Sequence, residues 1–553
     1  MKKSASTFRI LAIILSLALS VGILAACGGS DNAGTSQQPG GSSPAPGGSS
    51  PAPGGSSPAP GGSSPAPGGN SPAPDVRYAD SIEILTESTF AVLDPYNPRG
   101  VGSAIQSVYS CVYDKLVNNA NGEFIPELAT SWETDDYKTY TFHLRDDVYF
   151  SNGDKFTAQS VVETCEVGME IPGITAYDLW RLVDNMTVVD EYTVKMVLTD
   201  TNVDFIFRLT SQGGNVVNKR ARAEDPVEGA WVGTGAYTVS EFSSDNIVLI
   251  RNDNYWGGLM PTRQMTFRFL PEVASRAIAL QNGDSQVSLD LSPQDMPFFE
   301  ESDDFNVIPF VSNVMNSVGF NVTDPITGDL NFRKAVAYGV NGPEIALVSS
   351  GNYAIPVPDG SFWGYGTEFR NTAIPLIPYD IDLATQYLAA SNYSGEEIEI
   401  VSGNPDTNRG SQLIQEQLKK IGINTSLYQT DNPTISAYAR YDNNQAQMLF
   451  YLNNFTYIAS SARSTLYPNG TQNTASYNNQ AVADLIDRGP TIVDTKEREA
   501  MYKQLQETIV DDMPYYGVYY IQRCITTVSG FGGIIVNPDS WHIFRGAYVE
   551  LKD

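Results

Sequence analysis

The 553-residue chain is too long for one hydrophobic core and is expected to fold as two or three units. Its 63 acidic against 34 basic residues, a formal net charge of −29, exclude nucleic acid and anionic lipid as partners of its surface, since both need a basic patch. Two histidines, and four cysteines without CxxC spacing, offer neither a metal set built from side chains nor a disulfide framework.

Lys2, Lys3 and Arg9 precede an uncharged apolar run, Ile10–Ala26, that ends Leu24-Ala25-Ala26-Cys27. A basic start, a short apolar core and small residues before a cut site predict an export signal over 1–27. Residues 28–74 are low complexity and hold nothing that builds a core: Gly-Gly-Ser-Ser-Pro-Ala-Pro recurs from Gly40 to Pro67, and the variant Gly-Gly-Asn-Ser-Pro-Ala-Pro fills 68–74. They predict a disordered tether, spanning roughly 40 Å on average as a flexible coil. The repeat of seven has no apolar seam and is not a coiled coil.

In residues 75–553, Ser81–Leu85 predicts a strand, and Leu93-Asp94-Pro95-Tyr96-Asn97-Pro98 a loop punctuated by proline. Ile105, Val108, Val112 and Leu116 share one face of a helix over 103–116. Tyr140, Phe142 and Leu144 alternate with Thr141 and His143, as in a half-buried strand. Ser151–Asp154 is a turn, and Thr157 caps the helix that follows. Thr187–Leu198 predicts a strand pair turning at Asp190-Glu191. Gly233-Thr-Gly is only a fragment of a dinucleotide fingerprint, with Thr238 where the third glycine belongs. Phe267–Leu270 and Arg276–Gly283 form a strand–helix unit, with Gly283 at the helix end. Further helices are predicted over 409–420 and from Asp494 onward. With strands at 398–401 and 423–427, the pattern is α/β.

Catalytic motifs are scarce. The folded part contains no H-E-x-x-H, G-x-S-x-G or P-loop. The acidic pairs Asp135-Asp136 and Asp146-Asp147 are adjacent, so they point apart and read as solvated turns.

Several segments are more specific than their pattern. Pro126-Glu-Leu-Ala-Thr-Ser-Trp132, Tyr140-Thr-Phe-His-Leu-Arg145 with Val148-Tyr-Phe-Ser-Asn-Gly153, and Thr157-Ala-Gln-Ser-Val161 occur in order. Leu93-Asp-Pro95, Gly233-Thr-Gly-Ala-Tyr237, Arg251-Asn-Asp-Asn-Tyr-Trp256 and Arg333-Lys-Ala335 join them. Together they resemble the peptide/nickel-type family 5 of bacterial extracellular solute-binding proteins, which feed ABC importers. The likeness runs from about Ser81 to Gly530, and it implies helices over 331–340 and over 379–388, the second with Asp382 as cap.

The resemblance implies an α/β, two-lobed periplasmic-binding-protein-like fold of class II, a Venus flytrap, with an inserted subdomain. Lobe I is expected from 75–118, 229–312 and 525–553, the insertion at 119–228, and lobe II at 313–524. Such a protein is a two-state device, and moving a hinge from 1:99 to 99:1 takes about 5.5 kcal/mol of preference for the closed state. The residues before Cys27 resemble a lipobox, implying a lipid on Cys27, an extracytoplasmic position on the cell membrane and a monomer that meets a permease and an ATPase. No cofactor and no resident metal are expected.

Tyr96 and Asn97 become ligand contacts by position in the family, and Trp363 and Tyr365 as aromatics of a Gly-punctuated loop. In peptide-binding members, an Asp near 451–463 pairs with the peptide amine. Here Asn453, Asn454 and Tyr457 occupy that region, which suits a blocked peptide, a sugar or a neutral chelate. Arg463 and Arg181 have the forked geometry for a ligand carboxylate. The function implied is capture of an oligopeptide-like solute for import. The alternatives are a surface enzyme on glycans or peptides, and a sensing lipoprotein without transport.

Overall fold

The computed structural model describes residues 77–551, apart from 121–122, 294, 456–457 and 540. The expected signal, Cys27, the tether and Tyr457 lie outside the described residues.

Two long antiparallel strands, Phe305–Phe320 and Tyr515–Val528, run through the whole of this region. Both are rich in aromatic and β-branched residues, which suit a pleated, buried surface. Their ladder is interrupted. Phe305–Val311 pair with Gln522–Val528, Met315–Gly319 pair with Tyr515–Tyr520, and the register shifts between Val311 and Met315. On one side of the pair the sheet continues through Met448–Asn454, Glu397–Ser402 and Asn424–Gln429. On the other it continues through Val287–Leu289, Ser81–Thr86, Gln264–Phe269, Asn246–Arg251 and Tyr237–Phe242. The result is one mixed sheet of eleven strands shared by two halves, with helices laid against it.

A second, four-stranded antiparallel sheet is formed by Ala129–Glu133, Thr139–Leu144, Thr193–Leu198 and Val183–Asp190. Tyr140, Phe142 and Leu144 face inward while His143 is exposed, as their alternation predicts. The helix Ala158–Gly168 covers this sheet and begins with a capping box between Thr157 and Ser160. The four-stranded unit has no core of its own. Its buried residues are continuous with those around Ile84, Val108 and Phe267, partly through Trp180. The other half has three clusters, one around Phe332, Ile414 and Phe450, one around Trp363, Leu466 and Leu505, and a smaller one around Val401, Ile435 and Leu449.

Three expectations shift. The helix predicted over 103–116 stops at Val112, because Asp114 leaves it to accept hydrogen bonds from Thr234, Tyr255 and Trp256 and to pair with Arg545. The helix Ile381–Ala389 is capped by Asp380, whose carboxylate accepts from the Leu383 amide at 2.8 Å, while Asp382 lies in the first turn. The helix predicted from Arg409 starts at Pro405, where Asn404 and Thr407 form a capping box.

The glycines of the partial fingerprint serve close packing. A Cβ on Gly233 would lie 2.1 Å from the Val112 carbonyl oxygen, and one on Gly235 2.4 Å from that of Cys111. Cys111, Cys165 and Cys524 are free thiols, two of them buried. Burial pushes Cys111 and Cys524 up to about 12 and Cys165 up to about 11. Among the described residues no helix is long and apolar enough to cross a membrane.

Candidate functional site

A cleft of about 1060 Å³ opens along the long central strand. One wall comes from the Thr175–Trp180 helix and the Phe207–Gln212 segment, the other from Tyr365–Thr367, Asn454, Ser461, Ser464 and Gln472. Ile308–Val311 and Asn313 cross its base. The remaining side is the segment Ile535–Ile543, which contributes Asp539 and Trp541.

The first wall is braced from behind. Tyr96 donates its hydroxyl to the carbonyls of Gly213 and Asn215, both at 2.9 Å, and Trp180 Nε1 donates to the Gly213 carbonyl at 3.1 Å. Gln212 Nε2 donates to the carbonyls of Pro95 and Gly100 at 2.8 Å. The proline-punctuated loop therefore holds the turn that faces the cleft. Asp94 fixes the loop in turn, taking both prongs of Arg222 at 2.8 and 2.9 Å.

The C-terminal segment is equally constrained. Ile535 and Ile543 exchange backbone hydrogen bonds at 3.1 and 3.0 Å. His542 accepts the Asn537 amide at Nδ1, and its own amide donates to Ser107 Oγ at 2.9 Å. Burial holds its imidazole down to about 4, so it is neutral at ordinary pH. Asn313 donates its side-chain amide to Asp539 at 2.6 Å and its backbone amide to the Pro538 carbonyl at 2.9 Å. Burial raises the Asp539 carboxyl to about 6, against the lowering effect of that bond. The Lys115 ammonium, itself lowered to about 8 by burial, sits 4.8 Å over the Trp541 ring.

The sequence-derived candidates separate here. Tyr365 is 45% exposed, lies edge-on to Tyr520 and lines the cleft. Asn454 also lines it, and its buried Oδ1 has no hydrogen-bond partner. Asn453 lines an adjoining recess of about 470 Å³ that shares Asn454 and Gln472 with the cleft. Its side-chain amide donates to Ser317 Oγ at 2.8 Å.

Tyr96 is only 1% exposed, is not among the lining residues and acts as the brace described above. Asn97 turns its own loop by accepting from the Arg99 amide, and is not among the lining residues. Trp363 is 2% exposed and belongs to a hydrophobic core. Arg463 is tied to Asp487 and covers the Tyr467 ring, outside the cleft lining. Arg181 pairs with Asp178 at 3.0 Å. Sequence reasoning missed the Ile535–Ile543 side. Its readable signal was Asn537-Pro-Asp-Ser-Trp541, a turn-former beside an acid and an exposed-type aromatic. Among the described residues, no three His, Cys, Asp or Glu side chains are grouped to hold a metal.

Two halves sharing one sheet across a cleft define a two-lobed α/β binding architecture of the periplasmic type, carrying an inserted subdomain. Residues 123–477 match the bacterial extracellular solute-binding proteins, family 5 Middle, and the chain belongs to that family. It is similar to heme-binding protein A of Haemophilus influenzae, 24% identical over 500 residues, covering 82% of this chain and 89% of that protein. Its fold matches that of NikA from Brucella suis in complex with Fe(III)-EDTA, with a TM-score of 0.76 at 22% identity, covering 84% and 99% of the two chains. It also matches DppA from Helicobacter pylori in complex with peptide STSA, with a TM-score of 0.74 at 21% identity, covering 86% and 99%.

Proposed function

We infer that this solute-binding protein captures an oligopeptide-like solute in the interlobe cleft and hands it to an ABC permease and its ATPase from the outer face of the cell membrane. The observation that carries the reading is the cleft itself, which takes its walls from both halves and its base from the strand that joins them. About 1060 Å³ accommodates a short peptide, and mixed polar and aromatic walls suit its amides and side chains. Lobe I is taken as 75–118, 229–312 and 525–553, the insertion as 119–228, and lobe II as 313–524. The register shift between Val311 and Met315 supports a bend near the 312/313 boundary. Lipid on Cys27 and the tether of residues 28–74 supply the anchor, as their sequence suggests. Tyr365, Asn453 and Asn454 remain in the contact set.

Calorimetric titration with a tetrapeptide library, paired with small-angle scattering, tests the reading. Micromolar or tighter binding with a smaller radius of gyration is expected. Binding of metal chelates or glycans with no peptide binding overturns the peptide assignment, and no binding with no compaction overturns the transport role.

A further inference from the structure

Three charged side chains line the cleft: Asp178, Arg208 and Asp539. Asp178 is already neutralised by Arg181 at 3.0 Å, and Arg208 also has a partner. Asp539 differs. Its recorded side-chain bond is to a neutral carboxamide, that of Asn313, and none of the ion pairs among the described residues includes it. Burial raises its carboxyl, and the Asn313 bond only partly offsets this. A half-buried carboxylate with one neutral donor keeps unused acceptor sites, and it is costly to hold without a counter-charge.

The position of the pair adds a second argument. Asn313 lies where the central ladder loses register, and it reaches three ways. Its side chain holds Asp539, its amide holds the Pro538 carbonyl, and its carbonyl accepts from the Phe455 amide at 2.9 Å. A group seated on Asp539 therefore touches a carboxylate fixed to the crossing point that both halves share.

We propose that Asp539, positioned by Asn313, is the specificity-determining residue of the cleft and takes the cationic end of the solute, a primary ammonium group. This is the opposite preference to the one Asn453 and Asn454 suggest. It deepens the peptide reading and rests on the cleft being the solute site. Asn313 is a positioning residue: it makes no charge contact itself but presents the carboxylate.

The test compares wild type with Asp539→Asn, an isosteric change that keeps an acceptor for Asn313, and with Asp135→Asn in an exposed turn as the charge control. The probes are tetra-alanine with a free amine, its N-acetyl form, neutral maltotetraose and anionic Fe(III)-EDTA, each titrated by calorimetry. Wild type is expected to bind the free-amine peptide at least tenfold more tightly than the acetylated one. Asp539→Asn should erase that ratio, while Asp135→Asn preserves it. Thermal melts without ligand check that both variants fold. Equal affinity for the two peptides in wild type, preference for a neutral or anionic probe, or an unchanged ratio in Asp539→Asn overturns the inference and leaves solute binding intact. Binding of none of the four probes overturns both.

Discussion

Removing the hydroxyl of Tyr96 strands two buried carbonyl contacts, those to Gly213 and Asn215, and loosens the turn that presents Gln212. Tyr96→Phe is therefore expected to lower the unfolding free energy by about 1–3 kcal/mol and to weaken solute binding, read by urea denaturation and titration. Arg463→Ala should leave solute affinity unchanged and shift stability by no more than about 1 kcal/mol, because its pair with Asp487 is half exposed. A tenfold loss of affinity in that variant would place Arg463 in the site after all. His542 makes a pH prediction. Unfolded, it takes a proton near 6.5; folded, only near 4. The unfolded chain thus binds more protons between those values, and this contribution to stability is complete above about 6.5 and lost as the pH falls towards 4. The stability gap between wild type and His542→Asn should shrink by about 3 kcal/mol over that window in denaturant titrations.

At the scale of elements, the helix Ile381–Ala389 separates two neighbouring acids. Asp380→Ala removes the bond to the Leu383 amide and should cost about 1 kcal/mol, whereas Asp382→Ala should cost clearly less. Equal costs in thermal melts would mean that the cap is not where the structure has it. The same helix shows what sequence can resolve. Its existence was legible from the family resemblance, but two acceptable caps, Asp380 and Asp382, differ only in which one the packed chain leaves extended. The strand Thr139–Leu144 was fully legible, since alternation alone decides which face is buried. The end of the Ser103–Val112 helix was not. What stops it is a buried charge cluster whose members, Thr234, Tyr255 and Arg545, are more than a hundred residues away. The cleft shared this fate. Tyr365 and Asn454 line the cleft, as residues of loops and polar runs often do, but a buried brace such as Tyr96 and a wall residue look alike in a sequence. Asp539 and Trp541 reach the cleft only because the last segment folds back over the central strand.

For the molecule as a whole, one sheet passes through both halves, and the Phe305–Phe320 and Tyr515–Val528 strands bury residues in the clusters of each. Partial unfolding of one half would expose the shared ladder of the other. Residues 77–551 are therefore expected to unfold in a single transition, with circular dichroism and tryptophan fluorescence coinciding in urea. Two separated transitions would show that the halves are energetically independent. Saturating solute should raise stability by about 2.7 kcal/mol at a hundredfold excess over Kd, since only the folded cleft binds it.

Cys111, Cys165 and Cys524 have a practical corollary. Thiols held this far into the protonated form are nearly silent toward maleimides and mild oxidants at neutral pH. With Cys27 cut away, one cysteine introduced at the rim of the cleft would then accept a fluorophore in preference to these three. The folded region is in that sense ready to be turned into an optical reporter of its own cargo.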